Sequence, residues 1–134
     1  MKKRGRKKLK DLHQFCITGS GKQGDYELKG KIWIEGKEGT FLGYGRIALL
    51  EKIKQYGSIS KAAKALNMSY RQAWRLINSM NRQAGTPFVE TQVGGQSGGG
   101  TKITEAAEKA IEQFLRIQED FKKFLEEGIK NFRI

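Results

Sequence analysis

One cysteine, one histidine and one proline stand among 134 residues, and acidic side chains number 14 against 26 Lys or Arg. A lone Cys16 excludes an internal disulfide, and with His13 as its only imidazole companion it supplies neither the four ligands of a zinc site nor an evident triad. Both residues read as filling space. No apolar run approaches the ~20 residues that span a bilayer, and no apolar core of a secretion signal follows the basic N-terminus. The expected location is therefore the cytoplasm. Paired carboxylates, a metal-ligand cluster and an activated nucleophile are all missing, so the chain is not expected to be an enzyme, and no cofactor or metal is expected.

Two nucleotide-binding patterns also fall away. Gly19-Ser20-Gly21-Lys22-Gln23-Gly24 has the literal spacing G-x-G-x-x-G, but that fingerprint needs its glycines to open a helix whose N-terminus holds the pyrophosphate. Here residues 25–35, DYELKGKIWIE, alternate toward a strand instead. A phosphate-cradling loop fails as well, since Cys16 stands where its first glycine belongs and Gln23 follows Lys22 in place of Ser or Thr.

What the chain does have is positive charge, +12 in all and unevenly spread. Residues 1–87 hold 19 Lys or Arg against 6 Asp or Glu, net +13, while residues 88–134 hold 7 against 8, net −1. Such an excess points to nucleic acid as partner and says which part of the chain meets it. The opening block, MKKRGRKKLKDL, repels itself and is expected to be a largely disordered arm, assigned to residues 1–30, that adds affinity through counterion release.

Within the basic part, residues 58–81, SISKAAKALNMSYRQAWRLINSMN, read as two short helices around a tight turn. Ser60 is the expected N-cap of the first, with Ala62, Ala63 and Leu66 on its apolar face. Asn67 tolerates a left-handed turn, Ser69 supplies a fresh cap, and the second helix should run to about residue 83 before Gly85 and Pro87 stop it. Ala73, Leu76, Ile77 and Met80 share one face of it, leaving Arg71, Gln72, Arg75, Ser79 and Arg82 on others. In a helix-turn-helix the start of the second helix meets base edges in the major groove, where Arg pairs with guanine and Gln with adenine. Arg71, Gln72 and Arg75 are thus the base-reading candidates, and Ser69, Tyr70 and Ser79 complete the helix's candidate contact set. Tyr70 and Trp74 suit packing better than readout. Lys61 and Lys64 on the first helix are candidate phosphate contacts. The plain alternative for each is a solvated helix face.

Next, FVETQV, GGQSGGG and TKIT read as two short strands around a glycine tip, the wing of a winged helix, with Gln96, Ser97, Thr101 and Lys102 offering donors to a sugar-phosphate chain. A hairpin loop without a ligand is the alternative. The remaining expectations are a strand over 31–35, a turn over 36–43, a helix over 44–56 with Ile47, Leu50 and Ile53 on its apolar stripe and Gly57 ending it, and a long helix over 105–127.

On that last helix Ala107, Ala110, Phe114, Ile117, Phe121 and Phe124 recur at spacings of three and four, widened by Ile111, Leu115 and Leu125. A seam of this kind lets two helices pair, and a homodimer would offer two recognition helices to a two-fold site. The alternative is that the stripe covers the chain's own core.

KIWIEGKEGTFLGYGRIALLEKI at 31–53, GSISKAAKALNMSYRQAWRLIN at 57–78 and VGGQSGGGTKIT at 93–104 resemble the N-terminal DNA-binding domain of molybdate-responsive ModE-type regulators, itself similar to the winged helix-turn-helix of LysR-type regulators. The resemblance covers about residues 31–127. It implies a dimeric transcription regulator whose helix from Ser69 enters the major groove, whose wing flanks it and whose terminal helix pairs subunits. Family members that sense molybdate do so with C-terminal oligobinding-like domains, whereas this sequence stops at Ile134. No oxyanion site is assigned, and molybdate binding is left in doubt.

The resulting expectation is a mainly α fold with a small β wing: a basic arm over 1–30, a winged helix-turn-helix over 31–104, and a dimerisation helix with its tail over 105–134. Its function would be sequence-specific binding of double-stranded DNA as a transcription regulator. The competing class is an architectural DNA- or RNA-binding protein led by the arm and surface lysines, with affinity that collapses with salt.

Overall fold

A computed structural model describes residues 20–92 and 100–134. Within them the elements run β1 (Ser20–Gln23), β2 (Tyr26–Lys29), β3 (Ile34–Gly36), β4 (Gly39–Leu42), α1 (Tyr44–Tyr56), α2 (Ile59–Ala65), α3 (Tyr70–Ala84), β5 (Val89–Thr91), β6 (Thr101–Ile103) and α4 (Glu105–Gly128). The strands form three separate antiparallel pairs, β1–β2, β3–β4 and β5–β6. The fold is a winged helix-turn-helix.

Glycine punctuation sets the bounds of α1 and α3. Gly57 and Gly85 take left-handed φ values of 63° and 70°, where a side chain would be strained, and Gly57 N–H donates to Ile53 O at 2.7 Å to close α1. Between α2 and α3, Asn67 adopts φ 58° as its turn-tolerant amide allows, and Met68 N–H reaches back to Ala63 O at 3.0 Å. Ser69 caps α3, its Oγ accepting from Gln72 N–H at 3.0 Å.

The first turn of α2 departs from expectation. Ser58, not Ser60, is the cap, accepting from Lys61 N–H at 3.2 Å. Starting the helix there turns Ile59 into the core at 4% exposure and leaves Ser60 in solvent.

One core joins the helices. Ile47, Leu49, Leu50 and Ile53 of α1 meet Ala62 and Ala63 of α2, Ala73, Ile77 and Met80 of α3, Phe88 before the wing, and Ala107, Ile111 and Phe114 of α4. The small alanines permit close α1–α2 approach, and the apolar face of α3 turns inward, buried at Ala73, Ile77 and Met80 and half-buried at Leu76. Lys54 on α1 pairs with Glu108 on α4, its Nζ 2.8 Å from Oε1 and donating to Oε2 at 3.1 Å, and that hydrogen bond holds its pKa above the usual lysine value.

The strand expectations are revised. The alternating stretch 25–35 is two strands of different hairpins, the expected strand over 31–35 begins only at Ile34, and the expected turn over 36–43 contains β4. Gly36 pairs with Gly39 across Lys37-Glu38, and Gly39 takes φ 99°, so the glycines close a two-residue hairpin. The arm boundary at residue 30 also moves: β1–β2 is a hairpin on the far half of α4. Gly21 lies so close that a Cβ would collide with Leu125 O and Glu126 Cα, and Tyr26 meets Phe132 edge-on at 5.3 Å. His13, Cys16 and the basic block lie outside the described residues.

Helix α4, 24 residues and thus ~36 Å long, divides its stripe. Ala107 and Phe114 are buried in the chain's own core and Ala110 packs against it, so the first half of the expected dimer seam is already occupied. Phe121 is half-buried and stacks on Phe124, while Ile117 and Phe124 are 46% and 65% exposed. Leu125 and Ile129 are buried on the hairpin side. Between the two halves Gln118 is buried, its Oε1 meeting no donor among the described residues.

Candidate nucleic-acid interface

Helix α3 contains three arginines and no acidic residue. At about 100° per residue, Arg71, Arg75, Asn78 and Arg82 fall within about 60° of arc, and all four are exposed. Half-buried residues flank this line on both sides, Trp74 and Asn81 on one and Gln72 and Ser79 on the other. The polar face is therefore a narrow ridge.

Its members differ in what they already hold. Arg71 and Arg75, one turn apart near the capped start of α3, make no ion pair or hydrogen bond among the described residues. Arg82 is engaged, its Nε donating to Glu38 Oε1 at 2.8 Å. Ser79, expected to be available to DNA, is turned inward: its Oγ accepts from Arg46 Nη1 at 2.9 Å and from Gln83 Nε2 at 3.0 Å. Gln83 Nε2 also donates to Thr40 O at 2.9 Å, so this cluster ties α3 to β4 and α1. Burial lowers the Arg46 pKa, yet a guanidinium keeps its proton in proteins.

Tyr70 is 55% exposed with its ring edge-on to Trp74 at 6.3 Å, and Trp74 packs against the core. Packing thus accounts for Trp74, while Tyr70 borders the ridge. Gln72 is half-buried, whereas Arg71 and Arg75 are exposed. Lys61 and Lys64 are exposed on α2 and unpaired among the described residues.

Backbone and side-chain bonds fix the wing root against the helix pair. Thr101 N–H donates to Gly57 O at 3.0 Å, Thr104 N–H to Phe88 O at 2.9 Å, and Phe88 N–H to Asn81 Oδ1 at 2.7 Å. Lys102 stands exposed opposite Glu90, and Thr101 is half-buried opposite Thr91. Gln96 and Ser97 lie outside the described residues. Asn78 escaped the sequence reading because it carries no charge, although its place at i+7 from Arg71 was a usable signal. Among the described residues no group of three or more His, Cys, Asp or Glu is placed to hold a metal, and no helix is long and apolar enough to cross a membrane.

Residues 45–108 match the family described as bacterial regulatory helix-turn-helix protein, lysR family. The chain is 38% identical over 96 residues to the molybdenum transport protein ModE of Azotobacter vinelandii, covering 72% of this chain and 36% of that protein. It is 37% identical over 83 residues to the transcriptional regulator ModE of Haemophilus influenzae, covering 62% and 32% respectively. With the DNA-binding transcriptional dual regulator ModE of Escherichia coli K12 it shares 41% identity over 69 residues, 52% of this chain and 26% of that one. The chain thus spans about a third of the length of the curated relatives it matches.

Proposed function

We propose, from the match of residues 45–108 to the lysR family of bacterial regulatory helix-turn-helix proteins, that the chain is a sequence-specific duplex-DNA-binding transcription regulator, acting in the cytoplasm as a homodimer. The observation that carries the reading is the pair of exposed, unpaired arginines, Arg71 and Arg75, at the capped start of a helix whose other faces are committed to the fold. Such a helix has one surface left for a partner, and that surface is cationic with bidentate donors suited to guanine O6 and N7.

The other parts have assigned tasks. Lys61 and Lys64 on α2 neutralise phosphates beside the groove and set the register without reading sequence. Thr101 and Lys102, with Gln96 and Ser97 of the wing, touch the adjacent backbone. The exposed Ile117 and Phe124 on the far half of α4 form the subunit contact, so that two α3 helices meet a two-fold site. Two of the relatives are named transcriptional regulators and one of those DNA-binding, which supports this reading. No catalytic step is assigned.

Selection of bound duplexes from a random pool at about 150 mM salt tests it, with wild type beside the Arg71→Ala/Arg75→Ala double variant. A two-fold motif for wild type that disappears in the variant is expected. Equal binding by both with no motif would transfer the function to bulk charge and the architectural class.

A further inference from the structure

Two asparagines lie three residues apart on α3 and have opposite fates. Asn81 is part of the scaffold, its Oδ1 fastening the wing root at Phe88 N–H with a 2.7 Å bond. Asn78 is exposed and makes no hydrogen bond among the described residues. Asparagine is a poorer helix former than alanine by a few tenths of a kcal/mol, so an idle Asn in the middle of α3 costs the fold and gives nothing back. An open cleft of about 460 Å³, lined by Asn78, Asn81, Arg82, Gly85, Thr86 and Pro87, leaves its amide accessible from the side of the wing root.

Its position matters as much as its freedom. Asn78 continues the line of Arg71 and Arg75, and the seven residues from Arg71 rise ~10 Å, close to three base-pair steps of ~3.4 Å. Arg82, next along the same line, is held by Glu38 and so bounds the ridge. We infer that Asn78 is a base-reading residue whose carboxamide accepts from N6 and donates to N7 of an adenine in the major groove, extending the reading edge of Arg71 and Arg75 to three residues. A free carboxamide matches that donor and acceptor pair, whereas a phosphate offers acceptors only and would use half of it.

This inference rests on the regulator reading above, and the test separates the two. In the duplex selected by wild type, each base pair is replaced in turn, and dissociation constants are measured at fixed salt for wild type, Asn78→Ala and Asn78→Asp. One A·T position per half-site, within about three base pairs of the position read by Arg71, should cost wild type roughly 10-fold or more when replaced and cost Asn78→Ala almost nothing. Asn78→Asp, similar in shape but without the amide donor, should behave like the alanine variant at that position and bind more weakly throughout. Thermal unfolding of Asn78→Ala should match or exceed wild type, since alanine favours the helix at an exposed site. Retention of every wild-type base preference by Asn78→Ala, or an equal loss on all duplexes, would overturn the inference while leaving the regulator reading intact. A wild-type protein indifferent to every replacement would overturn both.

Discussion

Helices α3 and α4 look alike in sequence, each an apolar stripe backed by charge, yet the structure uses them differently. In α3 the apolar face packs on the core and the outer ridge is cationic, with Arg71 and Arg75 free of carboxylates among the described residues. Helix α4 carries four basic and seven acidic residues, and some of its cations are answered at home, as in Arg116–Glu112 at 3.2 Å and Lys109–Glu105 at 3.6 Å. Its apolar stripe in turn changes partner midway, from the helical core to the β1–β2 hairpin, and leaves Ile117 and Phe124 exposed. A polyanion is drawn to unanswered charge, and a protein surface to uncovered apolar area. The same amphipathic pattern thus leaves an unpaired cationic ridge on one helix and an exposed apolar patch on the other.

The division within α4 breaks most sharply with Phe114. Phe114→Ala should cost about 3–5 kcal/mol in denaturant unfolding, because it empties a fully buried site. Phe124→Ala at low protein concentration should change stability by no more than ~0.5 kcal/mol. Equal costs would show that the two halves are not distinct.

Gly21→Ala tests the hairpin's hold on α4. A methyl group there meets the α4 backbone, so a loss of about 1–3 kcal/mol is expected in thermal unfolding, with DNA affinity unaltered below the transition. Unchanged stability would mean that the hairpin contributes nothing to α4.

For the contrast between free and answered cations, Arg71→Ala and Arg75→Ala should each cost roughly 1–3 kcal/mol on the cognate duplex. Arg116→Ala, equally cationic but paired on α4, should change binding by less than about 0.5 kcal/mol, as surface substitutions away from a site do. Titrations by fluorescence anisotropy report both.

The smallest expected effect is at Glu38. Glu38→Gln releases Arg82 from an exposed pair, so stability should move by only about 0–1 kcal/mol. Non-specific DNA affinity should rise, and the slope of log K against log salt should steepen by ~0.9 if Arg82 then meets a phosphate. An unchanged slope would leave Arg82 outside the interface even when free.

Local punctuation made much of this legible. Gly57, Ser69, Gly85 and Pro87 bound α1 and α3 close to where the chain chemistry put them, and the three-and-four spacing marked the buried faces. What escaped depended on distant partners. Ser79 sits at the edge of the polar arc, and Arg46, 33 residues away, joins Gln83 in turning it inward. Arg82 needed Glu38, 44 residues away, to be seen as occupied. Residues 20–29 form strands because the far half of α4 offers them a surface, which their own composition does not announce. Ser58 and Ser60 are equivalent caps locally, and the burial of Ile59 decides between them.

NMR titration of the full isotope-labelled chain with its selected duplex tests most directly whether duplex DNA lies on the outer ridge of α3. The side-chain signals of Arg71, Arg75 and Asn78 and the first amides of α3 should shift most, while those of the far half of α4 and the β1–β2 hairpin stay in place. Largest shifts on α4 and the hairpin, with the α3 ridge unmoved, would contradict that placement.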